Sequence, residues 1–400
     1  MIWRKALSFT AGAGVALAMG AGASLAAGPD KITLGYAVSL SGPFAPGAMT
    51  TTVPNYRLWV KDVNAAGGIY LKKYDKKVPI EVTELDDRSN IEDAVRLTER
   101  LMTADKMDLV LPPWGTGANL AVAPVFARHG YPHLATTAAT DKIPELAKRW
   151  NNAFWFLGMP TEGMQSLVKV LSDLRSQGKI GDRVAMVNVA HAFGAEMAGA
   201  LRPALKDAGF EIVYDESYPI NAKDLTTHIK SSQAQNPDTF IALSYPRGTI
   251  MLTETAMVNG FKPKVFYTAV GTAFPVFKNK FGDKTEGIFG IGGWDETVPG
   301  AKEYFERHTK EMGQEPDRWA SPVTYAALQV LQQAIERVGE LDRAAIIEEM
   351  RTGKFETIVG TIAMPENRMV EQWWVGQWQN GKYVGIGALG KANAMPAMVK

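Results

Sequence analysis

Short apolar runs alternate with amphipathic stretches from residue 31 to about residue 267, and this alternation is the chain's main structural signal. Lys31–Val38 alternates and then turns apolar, as an opening strand does, and runs into the Gly/Pro/Ser loop Ser39–Gly47. Tyr56, Leu58, Trp59, Val60 and Val63 form a helical stripe closed at Asn64–Gly68, where glycine supplies a left-handed cap. Val78–Leu85 reads as a second strand ending in Asp86 and Asp87, and Ser89 or Asn90 caps a helix over Ile91–Ala104. Leu109–Leu111 is a third strand; it must stop at Pro112 and Pro113, which offer no backbone N–H to a sheet. A helix over Ala118–Arg128, a strand Tyr131–Ala135 and a hydroxyl-rich loop Thr136–Asp141 follow.

A second series begins near Ala153–Leu157. It predicts helices at Thr161–Ser176, Phe193–Ala208, Asp224–Gln235 and Gly248–Asn259, interleaved with strands at Arg183–Val189, Glu211–Asp215, Thr239–Leu243 and Lys264–Tyr267. The tail departs from the alternation, with helices at Gly300–Met312, Pro322–Val338 and Leu341–Met350, then strands within Phe355–Ala363, Met369–Trp378 and Tyr383–Ile386. Strand and helix alternating at this spacing imply an α/β fold of parallel strands with crossover helices on both faces, and two series of similar size imply two lobes. No short fixed period runs through the chain, which excludes a solenoid.

Length agrees, since 400 residues exceed one hydrophobic core. The first 26 residues read as a signal peptide: Arg4 and Lys5, the Ala/Gly-rich apolar run Ala6–Gly22, and small residues at Ser24-Leu25-Ala26 ahead of cleavage after Ala26. That run is too weakly apolar for a membrane anchor. The chain has no cysteine, hence no lipid-attachment thiol, disulfide or cysteine metal site, which points to a soluble periplasmic protein. Loss of Arg4 and Lys5 moves the formal net charge from +1 to −1, a balance that gives no footprint for nucleic acid.

No constellation supports catalysis or a cofactor. The five histidines are scattered, Gly115-Thr-Gly117 has Leu120 where a dinucleotide fingerprint needs a third glycine, and no nucleophile elbow or phosphate loop occurs. Asp86 and Asp87 fit a turn and cap better than a metal or acid–base pair. Binding is better served. Leu109–Asn119 joins a strand end, small residues and a helix N-terminus, whose unpaired N–H groups suit a carboxylate or phosphate. Trp114, Thr116 and Thr137 stand at or beyond strand ends of the first series, where open α/β sheets hold ligands, and His191, Phe193 and Tyr245 occupy the same station in the second. Packing and capping roles for Trp114, the threonines and Phe193 remain open at this stage. Gln372–Trp378 reads as strand packing.

Ser39-Leu-Ser-Gly-Pro43, Asp62–Ile69, Asp86-Asp87, Trp114–Pro124, Thr136–Asp141 and Ser321–Ala327, in this order and spacing, resemble the type I periplasmic solute-binding proteins of the leucine/isoleucine/valine family. The resemblance spans the mature chain. It implies two doubly wound, Rossmann-like lobes joined by three crossings near Phe156–Pro160, Gly290–Trp294 and Gly360–Pro365. Residues 27–157 with 291–361 would then form one lobe, and 158–290 with 362–400 the other. It further implies a monomer that closes on a small amino acid, amide or carboxylate, possibly aromatic, and delivers it to the permease of an ATP-binding-cassette transporter. A sensor ectodomain is the alternative. By the same resemblance the loops at Gly115–Ala118 and Ala135–Thr140 hold the ligand carboxylate through Thr116, Thr137 and backbone N–H groups. The second lobe departs from the family pattern: Phe193 replaces a tyrosine, and Val270 stands where amino-acid-binding relatives carry the acid that pairs with the ligand ammonium.

Overall fold

The computed structural model describes Met1 and residues 28–370, 372–387 and 395–399. The expected signal peptide, Met1 apart, lies outside the described residues. The strands are β1 (Ile32–Val38), β2 (Ile69–Leu71), β3 (Lys76–Val78), β4 (Ile80–Asp86), β5 (Leu109–Leu111), β6 (His133–Ala135), β7 (Ala153–Trp155), β8 (Arg183–Val189), β9 (Glu211–Tyr218), β10 (Thr239–Leu243), β11 (Val265–Thr268), β12 (Phe289–Gly290), β13 (Lys354–Thr357), β14 (Gly360–Ala363), β15 (Val375–Gln379) and β16 (Lys382–Gly387).

In the first lobe β1 lies between β4 and β5, parallel to both, with Ile32 opposite Ile80 and Leu34 opposite Leu109. β6 runs beside β5 and pairs in parallel with β7. In the second, one sheet has the order β16-β15-β12-β11-β10-β8-β9, parallel from β9 to β12 and antiparallel beyond. Setting the β2–β3 hairpin aside, both lobes therefore share one strand order, with the second strand outside the first and the third inside it. Buried strands of this kind are near-continuous apolar runs, as in β5, in β10 after Thr239 and in β8 between Arg183 and Asn188.

Helices cover both faces of the first sheet. Ile91–Thr103 starts where the Asn90 side chain accepts the Asp93 N–H, and it packs with Thr116–His129 over Ala37 and Val110. Val53–Ala65 and Ala320–Val338 pack together on the other face. The Ala320–Val338 helix also carries the β2–β3 and β13–β14 hairpins.

Several elements differ from the pattern's reading. Ala153–Leu157 opens no second series: β7 pairs with β6 in a two-stranded sheet beside β5 of the first lobe, because an apolar run states that it is buried, not by which partner. The β2–β3 hairpin hides in the polar run Lys72–Lys77, where alternation is absent and Asp75 turns at φ +48°. Helices at Ala45–Thr51, Ile143–Arg149 and Pro275–Phe281 are too short for a period to show. The late strands divide: β13–β14 is a separate hairpin, while β15 and β16 extend the second sheet through β12.

Candidate ligand-binding site

In each lobe the order reverses beside one strand, β1 or β8, where the chain goes outward on one side and inward on the other. Loops leaving the two strands at such a point diverge and leave a crevice. The loops after β1 and β5 carry Phe44 and Trp114; those after β8 and β10 carry His191 and Tyr245, with Phe193 in the first turn of the helix that follows β8. The two crevices face each other. Trp114 and Tyr245 meet with ring centroids 4.9 Å apart, Phe44 packs on Trp114 at 5.7 Å and on Tyr245 at 5.8 Å, and Phe193 stacks on Tyr245 at 5.2 Å and 19°. A cavity of about 10 Å³, room for about one water, lies among Trp114, Phe193, Tyr245, Thr51, Thr137, Val270 and Trp319. A ligand therefore enters only when the two aromatic faces part.

Trp114 is held from behind. Its indole N–H donates to Thr51 Oγ1 at 3.0 Å, Asn55 Nδ2 donates to the Thr51 carbonyl, and the Tyr304 hydroxyl donates to Asn55 Oδ1. Gly47 leaves the ring its space, since a Cβ there would stand 2.1 Å from Trp114 Cζ2. Glycine to alanine inside a helix ordinarily stabilises by about 0.5–1 kcal/mol. Here overpacking reverses the sign. Gly47→Ala is expected to lower unfolding free energy by about 1–3 kcal/mol in urea and to shift the tryptophan emission; unchanged emission would show that the ring has room elsewhere.

The loop after β5 is tied to the loop after β6. Gly115, at φ +92°, donates its N–H to Thr137 Oγ1 at 2.9 Å, and the Ala139 N–H donates to Thr116 Oγ1 at 3.3 Å. Both hydroxyls thus already accept a bond within the lobe. No side chain caps the helix Thr116–His129, so its N-terminus is open to an acceptor. The buried Tyr245 hydroxyl is beside it, with the Thr116 N–H too far off line for a full hydrogen bond; burial pushes the phenol well above its ordinary pKa, and that N–H pulls it back in part.

Behind both loops, Asn119 Nδ2 donates to the Pro113 and Gly115 carbonyls, and its Oδ1 is 3.1 Å from His133 Nε2. Burial lowers the His133 pKa to about 3, against an ordinary 6.5. The unfolded chain therefore binds a proton that the folded chain refuses, and stability falls as pH drops below 6.5. Between pH 6.5 and 4.5 this amounts to roughly 2–3 kcal/mol. His133→Phe is expected to flatten the urea-unfolding profile by that amount; an equal slope in the variant would place the protonated ring in the folded state.

A family model described as periplasmic binding protein matches residues 31–382. The chain belongs to this family. Similar proteins include Leu/Ile/Val-binding protein homolog 7 of Brucella suis, 23% identical with 89% of this chain and 91% of that one covered. The leucine-specific-binding protein of Salmonella typhimurium is 25% identical, covering 94% and 96%. Among solved structures, the substrate binding protein LivJ of Streptococcus pneumoniae, in complex with isoleucine, superposes with a TM-score of 0.77 at 21% identity, covering 89% of this chain and 99% of that one. A solute-binding protein from R. palustris in complex with benzoate gives 0.76 at 18%, covering 92% and 99%. The periplasmic binding protein described here is thus of type I, with two lobes.

Of the residues singled out from the sequence, Trp114, Thr137, Phe193, Tyr245 and Val270 line the cavity. Gly115 and Thr116 stand behind its wall in the bonds given above. His191 packs edge-on to Phe44 at 5.1 Å, and burial lowers its pKa, which keeps the ring neutral. Ala135 does not reach the cavity: it is buried at the end of β6, its carbonyl accepts the Phe156 N–H, and it packs with Ile143 and Trp155. Asp86 and Asp87 serve the loop after β1, where Asp86 accepts the Leu40, Ser41 and Arg88 N–H groups and Asp87 the Ser39 hydroxyl.

Sequence reasoning missed Phe44, Thr51, Leu157, Trp319 and Ala320. Phe44 was legible in principle as the one aromatic residue in the loop after β1. Trp319 carried no local signal, because it arrives from the far end of the chain. Among the described residues no group of acids and histidines could hold a metal, and no helix is long and apolar enough to cross a membrane.

Proposed function

We propose that this periplasmic binding protein is the substrate-binding component of an ATP-binding-cassette importer, which captures a small organic molecule between two closing lobes and hands it to the permease. The observation that carries this reading is the aromatic cluster at the cavity, built from both switch points at once. A ligand seated there touches both lobes, so it binds the closed form better than the open one and shifts the population toward closure. The chain acts as a monomer in the periplasm after removal of residues 1–26, and it has no catalytic role. The lobes comprise residues 27–157 with 291–361 and 158–290 with 362–400. Pairing of β15 and β16 with the second sheet supports that division, as does the packing of Ala320–Val338 on Val53–Ala65.

The ligand is a small carboxylate or amide with an apolar or aromatic body. None of the residues lining the cavity is charged, and Val270 faces it. An α-ammonium buried there without a counter-charge would cost several kcal/mol. A carboxylate, by contrast, finds the uncapped N-terminus of the Thr116–His129 helix. Relatives named for leucine, isoleucine and valine, and neighbours in complex with isoleucine and with benzoate, bracket the class.

The test is a thermal-shift panel of leucine, isoleucine, benzoate, 3,4-dihydroxybenzoate, short-chain amides and urea, followed by X-ray scattering at saturation. A binder raises stability as RT ln(1 + [L]/Kd) and reduces the radius of gyration. Leucine bound more tightly than benzoate would overturn the ligand class. A binder that leaves the radius unchanged would overturn closure.

A further inference from the structure

Glu196 lies on the helix Ala192–Asp207 of the second lobe, one turn beyond the cavity residue Phe193. Its carboxylate reaches across the cleft to the loop after β6 of the first lobe. Thr140 Oγ1 donates to Glu196 Oε1 at 3.0 Å, the Asp141 N–H donates to Oε2 at 3.3 Å, and Lys142 Nζ is 3.6 Å from Oε1. Within the loop the Lys142 N–H donates to Thr140 Oγ1; Asp141 also accepts the N–H and the hydroxyl of Thr161, at the start of the second lobe beside the crossing, so that contact pins the loop near the hinge while Glu196 holds it from the helix Ala192–Asp207. Three residues upstream the same loop supplies Thr137, with Ala139, to the cavity wall. Both segments that grip across the cleft at Glu196 thus also meet at the cavity.

We propose that Glu196 is a positioning residue: a latch that holds the closed form through the Thr137–Lys142 loop without touching the ligand. The proposal rests on the closure reading above, and its test needs no ligand. Two features make the contact a latch rather than a surface pair. The Glu196 side chain is only 15% exposed, so its hydrogen bonds to Thr140 and Asp141 are little screened, whereas Lys142 is 63% exposed and adds little. Secondly, the partners belong to different lobes. When the lobes part, Glu196, Thr140 and the Asp141 N–H all return to water, so the bonds favour closure alone and not the folding of either lobe.

The aromatic contacts at the cavity give closure its apolar part, and they are non-directional. The latch adds direction: two bonds to one loop fix how far that loop swings toward the helix Ala192–Asp207. Hydrogen bonds to a charged acceptor correspond to roughly a tenfold shift in the ratio of closed to open form.

Absence of cysteine makes the measurement clean. Spin labels on Lys148→Cys in the first lobe and Lys206→Cys in the second, both exposed, report lobe separation in the full mature chain by pulsed dipolar spectroscopy. Without added ligand, the parent is expected to populate a short-distance form. Glu196→Ala should cut the ratio of short- to long-distance populations about tenfold, and Glu196→Gln, which keeps one acceptor for Thr140, should cut it less. Thr140→Val should reproduce most of the alanine effect and add little on top of it. The stability to urea should fall by no more than the lost closed population accounts for, which separates a latch from a contact that holds one lobe together. An unaltered distance distribution in Glu196→Ala and Glu196→Gln overturns the proposal. So does a parent that shows only the long distance, or additive effects of Glu196 and Thr140. Failure of the ligand panel would leave these distances untouched and would count against the proposed function instead.

Discussion

Replacing Tyr245 with alanine is expected to weaken capture of the best binder from the panel by about 100-fold or more. Tyr245 touches Trp114, Phe44, His191 and Phe193, so it is the member of the aromatic cluster that joins the second lobe to the first. Truncating a buried aromatic side chain costs about 3–5 kcal/mol. Within the second lobe Phe193 and the backbone can relax into part of the gap, so most of the loss falls on the closed form, where Trp114 loses its opposite face. Isothermal titration measures it, and the change should lie mainly in the dissociation rate. Tyr245→Phe is the discriminating control. The hydroxyl is buried and makes no full hydrogen bond, only a weak approach to the Thr116 N–H, so its removal should change affinity by no more than about threefold. If phenylalanine costs as much as alanine, the hydroxyl bonds the ligand directly, and the stacking account of this wall is wrong.

Trp114 and Tyr245 were legible in the sequence for one physical reason. Each stands beside a proline at the end of an apolar run, Pro113 before Trp114 and Pro246 after Tyr245, and a strand that meets proline must leave its sheet there. In an open α/β sheet that departure point is the rim of the cleft. The same logic reaches Thr137 and Phe193 through strand ends, whereas Val270 came from the family resemblance, which also starts the ligand loop too early, at Ala135. β6 continues through Ala135, and the cavity wall starts only at Thr137. Parallel pairing followed from the alternation of elements, whereas β7's place beside β6 in the first lobe did not, because period and composition carry no record of which partner a strand takes. The latch shows the same limit. Nothing near Glu196 in the sequence marks it, since its partners are 54 to 56 residues away and meet it only after both lobes have folded and closed.

Trp319 is the cavity residue farthest from any sequence signal, and it depends on a neighbour that reads as an ordinary surface acid. Asp317 is fully buried at the start of the helix Ala320–Val338, where it accepts the Trp319 and Ala320 N–H groups on Oδ2 at 2.9 and 3.1 Å and the Ser321 N–H on Oδ1 at 2.6 Å. Burial pushes its carboxyl above the ordinary value, and the backbone N–H groups of Trp319, Ala320 and Ser321 pull it back. The Ser321 hydroxyl, in turn, donates to the Thr50 carbonyl, next to the residue that holds Trp114. Asp317 thus satisfies the first turn of a 19-residue core helix and fixes two of the residues on the cavity wall. Asp317→Ala leaves three buried N–H groups without an acceptor, each costing about 1–3 kcal/mol. With partial relaxation by water, the loss of unfolding free energy should be about 3–5 kcal/mol, far beyond an exposed helix cap. Asp317→Asn, which keeps one carbonyl oxygen for Trp319 and Ala320 but faces Ser321 with a donor, should lose about half as much. Urea unfolding of the two variants at neutral pH gives the comparison. A loss under about 1 kcal/mol for alanine would mean that water replaces the carboxylate, and that Trp319 is held by packing against its neighbours rather than by this cap.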